Sequence, residues 1–150
     1  MATDLEAMGY SVTTVLAEVL VRLGMKRAII VWGEGNLDEM TVTGATHIAD
    51  GYQGKVTTSV LTPEEVGLRT ADLAAIRGGK TAEESAAQVR AVLGGEEGAK
   101  LDMVLLNAGT ALMAAGRAET IPGGIALARE IIASGAALAK LEQLIQFSRS

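Results

Sequence analysis

Cysteine is absent from this chain, which excludes disulfides and thiolate metal sites and leaves no mark of redox compartment. Aromatic residues amount to only 3%, too few for the stacking platforms that hold single-stranded nucleic acids. Histidine occurs once, at His47, so a multi-histidine metal centre is excluded as well. Basic residues are outnumbered, 13 against 18 acidic, and the net charge of −5 disfavours nucleic acid or an anionic membrane as partner. No apolar run reaches the length of a membrane span. Met1–Gly9 carries Asp4 and Glu6 where a secretory leader is basic and then apolar, so the cytoplasm is the expected compartment.

What is present describes a folded protein. The chain has 150 residues, 49% hydrophobic and 21% charged, enough to enclose a core and the usual size of one domain. Val12, Val15, Leu16, Val19, Leu20 and Leu23 recur at helical spacing on one face, and Gly24 supplies the stop. Arg27–Trp32 is short, β-branched and almost continuously apolar, the pattern of a fully buried central strand. Met40–Thr46 and Lys55–Leu61 are also rich in β-branched residues, and Asp50-Gly51-Tyr52-Gln53-Gly54 carries turn chemistry. The two segments read as an antiparallel pair, joined through a short excursion at His47–Ala49.

Helices follow the strands. Thr62-Pro63-Glu64-Glu65 has the form of a capping box opening one short turn, which Gly67 stops. Thr81-Ala82-Glu83-Glu84 repeats the box and opens a longer helix closed by Gly94-Gly95. Asp102 is placed to cap or charge the next helix, with Val104, Leu105, Ala108 and Leu112 as its inner stripe. Pro122 starts another that ends near Ser134-Gly135. A last helix spans Ala136 to Phe147, with Leu138, Leu141, Leu144 and Ile145 expected inward. Asn107 is polar on an apolar helix and is expected to bond neighbouring backbone, since an unpaired buried amide costs about 1–3 kcal/mol.

Few residues could carry chemistry. Asp38 and Glu39 stand just past the strand Arg27–Trp32, and open α/β sheets bind ligands outside the carboxyl ends of their strands. On residues alone the pair reads either as ordinary loop charges or as ligand or metal donors. Gly33 and Gly35 fit a plain turn: no Gly-Lys-Ser/Thr follows for a P-loop, and the dinucleotide fingerprint is incomplete. His47 reads as a surface or strand-end histidine, with no serine and aspartate to complete a triad.

The run Trp32-Gly-Glu-Gly-Asn-Leu-Asp-Glu39 resembles the segment of anthranilate phosphoribosyltransferases that reads His-Gly, a short loop, then Gly-Leu-Asp-Glu. Further similar segments follow in the family's order: Val15–Gly24, Leu61–Leu68, Leu73–Gly79, Leu105–Gly109 and Ile125–Leu141. The resemblance covers about Val15 to Ser148, so residues 15–150 are expected to be the C-terminal portion of the family's α/β domain. Residues 1–14 match poorly and are expected to be an N-terminal extension: an alternative start, a fusion scar or a divergent end. The implied fold is α/β, a three-stranded partial mixed sheet covered by helices, as in nucleoside phosphorylases and phosphoribosyltransferases.

The resemblance also implies function. It assigns Asp38 and Glu39 to Mg2+, which accompanies phosphoribosyl diphosphate while the phosphoribosyl group passes to anthranilate in tryptophan biosynthesis. Magnesium favours such hard oxygen ligands and keeps room for substrate phosphates. Trp32 stands where the family has His and takes no catalytic role; Lys80 and Ser85 depart from the family's Gly-Gly-Asp and Glu-Asn-Ala. The Gly-Thr-Gly-Gly-Asp-type loop that grips the diphosphate and the His-Gly-Asn-Arg stretch at anthranilate do not occur here. No catalytic residue is therefore assigned, and the chain is expected to be truncated and inactive alone. Self-association, or a complementing N-terminal half, is expected at its open sheet edge. A non-catalytic α/β binding or assembly module is the alternative, and a pyrimidine nucleoside phosphorylase relative is a more distant one.

Overall fold

The computed structural model describes residues 11–149. Residues 1–10, where most of the expected extension 1–14 falls, lie outside the described residues. The chain divides into two compact units, one up to Thr70 and one from Ala71 onward.

The first unit is a sheet with one helix on it. Helix α1 (Val12–Arg22) begins at Ser11, whose hydroxyl accepts from the Thr14 N–H. Strands β1 (Arg27–Gly33), β2 (Thr46–Tyr52) and β3 (Lys55–Leu61) form a sheet in the order β1-β2-β3. The three strands expected are present and both pairings are antiparallel; no parallel pair occurs among the described residues. Helix α1 lies on the face that carries Ala28 and Gly51. Ala17 is wholly buried there, and a Cβ on Gly51 would lie 2.6 Å from Val21 Cγ2. On the opposite face the Arg27 guanidinium grips Asp50 through both carboxylate oxygens, at 2.6 and 3.1 Å, and sits 4.8 Å over the Tyr52 ring. The Asp50 hydrogen bonds hold Arg27 charged beyond its ordinary range.

Two strand expectations are corrected. Arg27–Trp32 is not a buried central strand: β1 is an edge of this sheet, and Trp32 at its end is 40% exposed. Of the expected strand Met40–Thr46 only Thr46 is in a strand, as the start of β2, and His47–Ala49 is no excursion but part of β2. The β-branched threonines of that stretch spend their hydroxyls on local backbone. Thr46 Oγ1 accepts from the Thr41 N–H at 3.0 Å, and Thr41 Oγ1 from the Thr43 N–H at 2.9 Å. Such side-chain bonds compete with a ladder. Asp50 and Gly51, read as turn residues, belong to β2 because Arg27 and α1 claim them. The turn is Gln53-Gly54 alone, with φ of 50° and 79°, the two left-handed residues of a tight hairpin.

A 3-10 turn, Pro63–Val66, closes this unit. The Thr62 N–H donates to Glu65 Oε2 at 2.7 Å, and Gly67 ends the turn at φ 77°, as the capping box implies. Glu64 accepts from the Thr70 hydroxyl, which holds its carboxyl below the usual range.

The second unit is helical: a 3-10 turn Leu73–Ile76, then α2 (Ala82–Leu93), α3 (Ala99–Ala114), α4 (Ile121–Ala133) and α5 (Ala136–Ser148). Thr81 and Thr120 cap α2 and α4 by accepting from the Glu84 and Gly123 N–H groups. Helices α3 and α4 meet backbone to backbone, for a Cβ on Gly109 would lie 2.6 Å from the Ile125 nitrogen. The expected inner stripe of α3 is therefore rotated. Leu105 is buried, but Val104, Ala108 and Leu112 are half-buried, and Leu101, Leu106, Gly109 and Met113 face the core instead. On the last helix Leu138, Leu141 and Ile145 are half-buried, but Leu144 is 62% exposed and no α5 residue is fully buried, because α5 packs at the edge of the unit. Asn107 does bond backbone, donating to the Met103 carbonyl at 3.0 Å.

Candidate functional site

The candidate site is built where β1 ends. Gly33 pairs with Leu37 through two backbone hydrogen bonds of 2.9 and 3.1 Å, closing a three-residue turn at Glu34-Gly35-Asn36. The turn needs two left-handed residues, Gly35 at φ 85° and Asn36 at φ 61°. Glycine accepts that conformation freely and asparagine better than most. Gly33 serves a second need, since a Cβ there would lie 2.7 Å from the Glu39 carbonyl oxygen. The plain turn expected of these glycines is what forms, and it delivers Asp38 and Glu39 immediately beyond the closing pair.

Both side chains are exposed. Neither carboxylate takes a hydrogen bond or ion pair among the described residues, so their oxygens are open to an external ligand. Met40 on their C-terminal side is 1% exposed, which anchors the loop in the core. No group of three or more His, Asp or Glu among the described residues is arranged to hold an ion. Among the described residues the donor set is thus two carboxylates. That suits magnesium, which is held by one or two carboxylates while waters and phosphate oxygens complete its shell.

The remaining candidates lie elsewhere. His47 is exposed in β2, directly paired with Trp32, and their rings are 5.1 Å apart. Cross-strand partners share a sheet face, so Trp32 rests on His47 on the side that carries α1. Lys80 and Ser85 flank the start of α2; the Lys80 N–H donates to Glu84 Oε2 at 2.7 Å, so the segment is a helix cap. Sequence reasoning missed Glu34. Its carboxylate accepts from the Ala45 N–H at 3.0 Å, a tie to a residue whose place only the folded loop defines.

The family model described as "Glycosyl transferase family, a/b domain" matches residues 7–138, and the chain belongs to that family. It is 64% identical over 137 residues to anthranilate phosphoribosyltransferase of Desulfotalea psychrophila, covering 91% of this chain and 39% of that protein. The enzyme of the same name from Listeria welshimeri is 49% identical over 133 residues, with 89% and 39% covered. The crystal structure of anthranilate phosphoribosyltransferase from Thermus thermophilus superposes with a TM-score of 0.79 at 43% identity, over 90% of this chain and 39% of that one. The Saccharomyces cerevisiae enzyme, in complex with PRPP and Mg, matches with a TM-score of 0.68 at 28% identity, over 79% and 34%. The stretch matched is the C-terminal part of the family's domain. The chain spans about two fifths of the length of these relatives.

Among the described residues no single helix is long and apolar enough to cross a membrane.

Proposed function

We propose that Asp38 and Glu39 hold the magnesium ion that accompanies phosphoribosyl diphosphate, and that the chain supplies this part of a cytoplasmic anthranilate phosphoribosyltransferase of tryptophan biosynthesis. The observation that carries the reading is the open carboxylate pair on a loop fixed at Gly33 and Met40. In the reaction the anthranilate nitrogen bonds to C1 of the ribose, the bond from C1 to the diphosphate oxygen breaks, and the nitrogen loses a proton. Bound magnesium neutralises charge on the departing diphosphate. The two carboxylates contribute position: their oxygens fix where the diphosphate end of the substrate lies.

The pair does not orient the ribose or the amine, and orientation supplies much of such a rate enhancement. The isolated chain is therefore inactive in this reading and acts together with the rest of the family's domain, either as a complementing half or in a self-associated form. Two surfaces support a partner. Strands β1 and β3 are sheet edges among the described residues. Helix α1 exposes a line of Val12, Leu16, Val19 and Leu23, at 50%, 47%, 46% and 76%, on the side away from buried Ala17. A helix apolar on two sides is one built to be covered on both.

Purified chain with anthranilate, phosphoribosyl diphosphate and magnesium tests the reading. No product above background is expected, whereas robust turnover would reveal a substrate site within these residues. Sedimentation tests the partner surfaces: a monomer up to the highest attainable concentration contradicts self-association and leaves the complementing half.

A further inference from the structure

Between Leu37 and Thr46 the chain runs without a ladder of its own. Ordering such a segment costs about 1–2 kcal/mol of backbone entropy per residue, so something must fix it. Three contacts do. Gly33 abuts the Glu39 carbonyl, and Thr46 holds the Thr41 N–H. The third is Glu34, whose N–H donates to the Ala45 carbonyl at 2.9 Å while its carboxylate accepts from the Ala45 N–H at 3.0 Å. Gly44 lies so close that a Cβ would come within 2.5 Å of that same Glu34 oxygen. Glu34 joins the tight turn to the far end of the segment beside the Gly33–Thr46 strand pair, and Asp38 and Glu39 lie inside the loop so closed.

We propose that Glu34 is a positioning residue for the Asp38–Glu39 pair: by accepting the Ala45 N–H its carboxylate fastens the loop, already closed through the backbone, that presents the two carboxylates to a diphosphate-bound cation. The proposal rests on reading the pair as a magnesium site. Glu34 is not a third ligand, since it forms no ion-holding group with the other two and its Oε2 is engaged by Ala45. What matters is the acceptor and its reach, and Gln keeps both where Ala keeps neither.

The test compares Glu34→Gln and Glu34→Ala in the full chain. Calorimetry reads magnesium affinity with saturating pyrophosphate, and amide NMR reads Ala45 exchange and the Asp38 and Glu39 resonances. Glu34→Ala should weaken magnesium about 10-fold and speed Ala45 exchange, while Glu34→Gln stays within about twofold of the parent. The proposal is overturned if Glu34→Ala binds like the parent, or if Glu34→Gln is as damaged as Glu34→Ala. If the parent binds no magnesium, the magnesium reading fails separately and the NMR arm decides. Asp38 and Glu39 resonances displaced in the Ala variant and restored in the Gln variant support positioning; resonances unmoved in both overturn it.

Discussion

Helix meets neighbour differently in the two units. From Ala71 onward, α3 and α4 touch at Gly109 and Gly124, where the nearest atom that a new Cβ would strike belongs to backbone. Up to Thr70, α1 meets the sheet at Gly51, where the nearest atom is the methyl of a valine side chain. A side chain can turn aside and a helix backbone cannot. One unit should therefore be brittle at its closest approach and the other forgiving, although both use glycine to achieve it.

The largest expected effect breaks the brittle side. Gly124→Ala should cost about 3 kcal/mol in overpacking, well beyond the gain of about 1 kcal/mol in helix propensity. Urea unfolding followed by amide exchange should show the loss in the unit from Ala71. Gly51→Ala is the matched change in the sheet unit and should cost about 1 kcal/mol, because Val21 is half-buried and can move. Equal losses at the two sites would end the comparison. The smallest effect sharpens it at the end of the sheet unit. The Thr70 hydroxyl lowers the Glu64 carboxyl below its ordinary 4.5, so the contact stabilises above that value and fades as pH falls through the lowered one. Thr70→Val should lower the thermal midpoint slightly near neutrality and not in strong acid. A deficit that persists in acid would place the effect elsewhere than on Glu64.

The same contrast governs what can be read in advance. Thr81 and Thr120 cap N–H groups of their own first turn, and Glu65 accepts the Thr62 N–H, so helix starts are legible from a few consecutive residues. The strand β2 is not, because Asp50 and Gly51 look like turn residues until Arg27 and α1 engage them. The α3 stripe was misplaced because that helix is apolar on most sides, and the glycine contact rather than periodicity chooses the face. At the site, the reading of Asp38 and Glu39 rests on the family motif. Glu34 was not legible, since its partner Ala45 is 11 residues on and joins it only when the threonine segment folds irregularly.

The central claim is that Asp38 and Glu39 form a magnesium site completed by phosphate oxygens. Calorimetry of the chain with magnesium, with and without pyrophosphate, tests it most directly, alongside the Asp38→Asn, Glu39→Gln double variant. Both side chains are exposed, so the variant should keep the fold. The account predicts weak magnesium binding alone, tighter binding with pyrophosphate, and loss of that coupling in the variant. No pyrophosphate-dependent binding in the parent, or identical coupling in the variant, would contradict it and leave a non-catalytic α/β module as the reading.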